Sequence, residues 1–226
     1  MHFIRLIVTL QHKPINPNKM KKVSLTILLV CCTLALAAQD SAIKVNYRGA
    51  TPTISDFVWA YLCEIVKDGD DVDCYNESEG AFKNAWLRHR KGQPQNEGCT
   101  LTIDEKNGYV CYESRYEEHL LKVEACYWNE ADKKHKLFAI NVACFSNGKY
   151  SPGQFDGIAF YRYNNATKKM VDTEDTGIDR ALGTDDGAWI SYALPHSGKD
   201  IVMTKWWTET GKQKQRTLKW NGRRFE

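Results

Sequence analysis

The sequence predicts an α+β fold in which two amino-terminal helices pack on a curled, mainly antiparallel sheet of seven to eight strands. Three observations predict it. Two stretches before residue 92 repeat apolar residues at helical spacing. From residue 99 onward, short runs alternate polar and apolar residues. Turn signals such as Asn107-Gly108 and Asn147-Gly148 separate those runs. Helices first and hairpins afterwards describe an α+β domain rather than a parallel α/β one. A partly closed barrel and propeller-like blades are the alternatives for the sheet.

The globular part is expected over residues 39–226, as a single domain. Lys21 and Lys22 form a positive head, and Val23 to Leu36 is apolar apart from Ser24, Thr26 and Thr33. Ala35-Leu36-Ala37 has the small-x-small pattern of a cleavage site. Residues 20–38 therefore read as a cleavable signal peptide. Its apolar run of 14 residues is short of the roughly 20 that a spanning helix needs. Residues 1–19 hold no acid and carry Pro14 and Pro17, and they read as an upstream extension before the start at Met20. The expectation is an exported protein, periplasmic, cell-surface or secreted, with no integral membrane span once the signal is removed.

The first helix follows an extended lead-in over residues 39–52. Ile54, Phe57, Val58, Tyr61, Leu62 and Ile65 fall on one helical face. Thr53 is placed to cap it, with Asp56 in the first turn. An acidic loop comes next, with Asp68, Asp70, Asp71 and Asp73. Counted as an EF-hand from Asp68, it puts Val72 at position 5 and Asp73 at position 6, where a liganding acid and a glycine are needed. It reads as a solvated loop. The second helix is expected from about Glu79 to Lys91, with Phe82, Ala85, Trp86 and His89 as its stripe and Gly92 and Pro94 as its stop.

Strands are expected at 99–104, 108–112, 119–128, 136–145, 157–163, 189–194, 200–207 and 215–220, with an acidic, Gly-rich loop over 172–187. A two-residue turn at Asn107-Gly108 would set Cys99 opposite Tyr116 and Cys111 opposite Asp104, which keeps the two thiols apart. A turn at Thr210-Gly211 would set Ile201 opposite Trp220 and Met203 opposite Leu218. Trp207 then shares the apolar face, while Trp206 shares the other with Thr204, Thr217 and Lys219. Trp207 is thus expected in the core and Trp206 at the surface.

Charge and cysteine usage narrow the chemistry. The five positive residues before residue 39 leave 26 Lys plus Arg beside 28 Asp plus Glu, a net charge of −2. Nucleic-acid binding, which needs a basic footprint, is not expected. Six of the eight cysteines lie beyond the signal. An even count in an exported chain predicts disulfides, and Cys63 with Cys74 is the most plausible pair. No C-x-x-C, H-E-x-x-H, nucleophile elbow or phosphate-binding glycine motif occurs. No metal, cofactor or catalytic residue is assigned.

Aromatic residues form 12% of the chain, including seven Trp. Exposed Trp and Tyr on a sheet stack on sugars or anchor a protein. Trp59, Trp86, Trp189 and Trp220 are read as core, and Trp206, Tyr161, Tyr163 and Lys219 as candidate binding residues. Asp200-Ile-Val-Met-Thr204 followed by Thr217-Leu-Lys-Trp-Asn-Gly-Arg-Arg-Phe225 resembles the closing hairpin of small secreted β-rich bacterial envelope proteins, some of them periplasmic lysozyme inhibitors. The resemblance covers about 25 residues and carries no functional residue across. The leading expectation is a non-catalytic exported module that binds a protein or a glycan. A secreted hydrolase with convergent carboxylates and a structural part of a cell-surface assembly are the alternatives.

Overall fold

In the computed structural model, which describes residues 42–65, 77–153, 156–182, 187–207 and 209–226, the chain opens with a short strand β1 (Ile43–Lys44) and helix α1 (Ile54–Ile65). Thr53 caps α1. Its main-chain N–H donates to Asp56 Oδ2 at 2.8 Å, one arm of a capping box. Ile54, Phe57, Val58, Tyr61 and Leu62 are all buried; each large apolar side chain so placed contributes roughly 1.5–3 kcal/mol. Helix α2 (Glu77–Arg90) buries Phe82, Ala85 and Trp86, whereas His89 is exposed. The helix ends where Gly92 N donates to His89 O and Gln93 N to Arg88 O, a Schellman motif closed by a glycine at φ +64°.

Six strands follow: β2 (Cys99–Asp104), β3 (Tyr109–Tyr116), β4 (His119–Asn129), β5 (His135–Ser146), β6 (Lys149–Tyr150) and β7 (Gly157–Asn164). After β8 (Lys169–Asp172) come a short helix α3 (Ile178–Leu182) and the strands β9 (Trp189–Ala193), β10 (Ile201–Trp207) and β11 (Lys212–Leu218). The architecture is a mostly antiparallel sheet with few helices. The main sheet runs β1-β8-β7-β5-β4-β3-β2, a half-barrel of seven strands, and β6 pairs beside β5. Strands β11-β10-β9 form a second, separate sheet. Among the described residues no helix is long and apolar enough to cross a membrane. Strand β1 falls in the expected lead-in, helix α3 in the expected loop, and β8 almost wholly in a stretch given no assignment. All three are too short to show a period.

Both hairpin registers differ from expectation by two residues. Cys99 pairs with Ser114 and Cys111 with Thr102, because the β2–β3 loop is four residues rather than two. Asp104 causes the difference. Its carboxylate accepts from the main-chain N–H and side-chain amide of Asn107, closing a wider turn. Likewise Ile201 pairs with Leu218 and Met203 with Arg216. A slip of two keeps every side chain on its face, since the period of a strand is two. Cys99 therefore still faces the helices while Cys111 faces the second sheet.

Two apolar layers result. On one face of the main sheet, Phe57 stacks against Phe138 at 5.6 Å and meets Tyr163 edge-on at 5.1 Å. On the other face, Trp128, Leu137 and Phe160 meet Ile201, Met203, Leu218 and Phe225. Strand β5 lies between the layers, so Lys136 to Ala143 are buried without a break.

The second sheet meets the first through polar groups. Cys111, Glu124, Asn141 and Ile158 stand in one cross-strand row on β3, β4, β5 and β7. Glu124 is 2% exposed. It accepts from Tyr109 Oη at 2.6 Å and from Leu194 N at 3.3 Å, and Lys122 Nζ lies 2.9 Å away. Asn141 donates to Tyr192 O at 2.9 Å. Burial alone would lower the Lys122 ammonium, but the neighbouring Glu124 carboxylate outweighs it and holds the group above the ordinary lysine value.

Candidate binding face

The register of the second sheet arranges one of its faces as a grid. Trp206 lies between Trp189 and Gln213, Thr204 between Ser191 and Gln215, and Val202 between Ala193 and Thr217. Trp189 is 54% exposed, although aromatic side chains of this size are usually covered. Trp206 is half-buried. Its indole Nε1 donates to Ser191 Oγ at 2.8 Å, so the ring reaches diagonally onto β9. Tyr150 lies against the same ring, centroid to centroid 6.1 Å. One indole is thus held in place and the other stands free beside it. On β9–β11, no described residue of this face carries a charge. The opposite face holds Lys205, Lys212, Lys214 and Arg216.

The candidate residues are not brought together. Tyr163 is fully buried (0% exposed) beneath α1, so it is core and offers no surface. Tyr161 is partly buried and meets Tyr61 of α1 at 5.7 Å. Lys219 is exposed and follows β11 at the end remote from Gln213, some six residues or roughly 20 Å along the strand. Its main chain pairs with Glu226. Trp207 is half-buried rather than core, because it pairs with Lys212 at the far end of the hairpin. Trp206 is likewise half-buried rather than fully exposed.

Trp189, expected in the core, is the residue that the sequence reading missed. A signal was present: alternation puts Trp189 with Ser191 and Ala193, away from Ile190, Tyr192 and Leu194. Cys63 is exposed on α1, and Cys74 lies outside the described residues. No two of Cys99, Cys111, Cys126 and Cys144 lie within bonding distance. Burial raises the Cys111 and Cys126 thiols above their ordinary value. Burial, then Asp156, pushes Cys144 up to about 12.

A cleft of about 550 Å³ lies where α3 meets β7 and β9. Ile158, Phe160 and Tyr192 wall it, and Asp172, Glu174 and Asp179 line its rim. Burial, with a smaller contribution from Asp179, pushes the Tyr192 phenol up to about 12. All three carboxylates are exposed, whereas hydrolysis by a carboxylate pair needs one acid held in an apolar setting. Glu130, Asp132 and His135 place ligand atoms within 4.8 Å of one another, the spacing of a metal site. Those atoms have partners already. Arg162 Nε donates to Glu130 Oε1 at 2.7 Å, and Asp132 Oδ2 lies 2.6 Å from His135 Nδ1. The trio serves as a turn closure for β4–β5.

No family model, curated protein or solved structure matches this chain.

Proposed function

We propose that this protein is an exported, non-catalytic module that holds its partner on the Trp189–Trp206 face of the second sheet. One observation carries the reading. Trp189 is left in water directly opposite Trp206, on a strand pair whose geometry is fixed by the Ser191 hydrogen bond. A rigid, amphipathic ring loses little conformational freedom when a partner covers it, and that makes Trp a recurrent anchor of binding surfaces. The signal-like segment over residues 20–38 supports export, and the envelope is then where the partner is to be sought.

Retention on envelope material from the native host tests the proposal. Trp189→Ala is expected to fold normally and to lower retention about tenfold or more, the loss of one hot-spot side chain. Undiminished retention of Trp189→Ala would refute it. A hydrolase working at the acidic cleft is the second reading, and the exposure of Asp172, Glu174 and Asp179 counts against it. It predicts turnover of a glycosidic substrate that Asp179→Asn or Glu174→Gln abolishes.

A further inference from the structure

We infer that the partner is a neutral glycan, lying across the row formed by Trp189, Trp206 and Gln213; this rests on the binding face proposed above. The inference starts from how charge is distributed over β11. Its residues alternate Lys, Gln, Lys, Gln, Arg, Thr, and all six are exposed. Alternation sends every cation to one face and every neutral side chain to the other. Solvation alone does not require that separation, because either face would be soluble with Lys. The same neutrality continues across β10 and β9 through Thr204, Trp206, Ser191 and Trp189.

A face of this composition discriminates by chemistry. It offers two indole rings, which match the C–H face of a pyranose, and the exposed carboxamides of Gln213 and Gln215 with the Thr217 hydroxyl, which both donate and accept toward sugar hydroxyls; Ser191 and Thr204 are buried beneath them. It provides no ion pair to orient a protein partner, whereas protein interfaces are enriched in Arg and use charge for register. An anionic polysaccharide would lose water from its carboxylates here without gaining a cation. The row is of the right scale. Three adjacent strands at about 4.8 Å spacing set Trp189, Trp206 and Gln213 over about 10 Å, the length of about two sugar units.

Affinity electrophoresis of the intact protein tests this. The probes are soluble neutral polysaccharides (laminarin, mixed-linkage glucan, galactomannan, amylose) and two anionic ones (polygalacturonate, heparin). At least one neutral probe is expected to retard the protein equally at low salt and at about 0.5 M NaCl, where screening removes Coulomb attraction. Trp189→Ala and Gln213→Ala should each weaken that retardation, the former about tenfold or more. Lys214→Glu, on the opposite face, should leave it unchanged. Retardation by the anionic probes alone, abolished by salt and by Lys214→Glu, would overturn the inference. So would the absence of retardation by every neutral probe. The envelope assay separates that failure from failure of the binding face. Retention that Trp189→Ala lowers and protease treatment of the envelope destroys would keep the face and make the partner a protein. Retention indifferent to Trp189→Ala would remove both proposals.

Discussion

Asn141, on the central strand of the main sheet, donates its side-chain amide to the main-chain carbonyl of Tyr192 on the second sheet at 2.9 Å. One row neighbour away, Glu124 accepts the main-chain N–H of Leu194. These two side chains do for the inner edge of β9 what a neighbouring strand would do. They satisfy a donor and an acceptor that burial would otherwise leave without partners.

Removal of Glu124 should therefore loosen the second sheet. Glu124→Leu leaves the Lys122 ammonium and the Leu194 N–H without their acceptor, and breaking a buried pair this way costs about 3 kcal/mol or more. Lys122→Met combined with Glu124→Leu should recover only the part due to the ammonium, since Leu194 N–H and Tyr109 Oη still lack their acceptor. Urea denaturation gives the energies, and amide exchange at Leu194 gives the location. Wild-type exchange at Leu194 in the single variant would show that Glu124 does not hold β9.

The two tryptophans of the binding face should differ in stability cost. Trp189→Ala should change stability by about 0.5 kcal/mol or less, as at other exposed positions. Trp206→Phe removes the hydrogen bond to Ser191 and should cost about 1 kcal/mol. Trp206→Ala also loses the contact with Tyr150 and should cost more. Thermal melts rank the three, and any other order would mean that the Ser191 bond does not fix the ring.

Gly177 and Gly211 share a positive φ, at +82° and +66°, but differ in surroundings. A Cβ at Gly177 would stand 2.3 Å from the carbonyl oxygen of Phe225, whereas nothing lies within 4 Å at Gly211. Gly211→Ala should cost about 1 kcal/mol for conformation alone. Gly177→Ala should cost clearly more, since it also pushes Phe225 out of the second core. Equal melting temperatures for the two variants would contradict the close approach.

The β4–β5 turn should respond to strong acid. The hydrogen bond with His135, then that from Lys134 N, lowers the Asp132 carboxyl to about 2 from the usual 3.8. A folded value below the unfolded one stabilises the turn above about pH 4, and the contribution is lost as pH falls through about 2. Carboxyl NMR shifts follow the titration directly. A midpoint near 3.8 would show that the His135 contact does not persist in solution.

Much of the secondary sheet was legible in its sequence, and the reason is parity. Both registers were misjudged by an even number, so Trp206 kept its place beside Thr204 and Trp207 its place beside Met203. The depth of burial was not legible. Tyr161 and Tyr163 alternate like surface aromatics, and only the path of α1 across β7 turns one of them into core. Glu124 and Asn141 look like polar interruptions of two apolar strands. Their purpose depends on a partner strand about fifty to seventy residues away, a relation that local periodicity does not encode. Trp189 was hidden by its size, since a large aromatic is ordinarily assigned to the interior.

The outer edge of β11 has a consequence for how the protein behaves in concentrated solution. Among the described residues no strand pairs with that edge; an open edge invites another strand, and here its defence is the charge of Lys212, Lys214 and Arg216. Such a guard is electrostatic, with a reach of about 10 Å at 0.1 M salt and about 3 Å at 1 M. Raising the ionic strength should thus make two copies more willing to meet edge to edge. This molecule is best stored dilute in salt, because high salt removes the repulsion that keeps its ladder from growing.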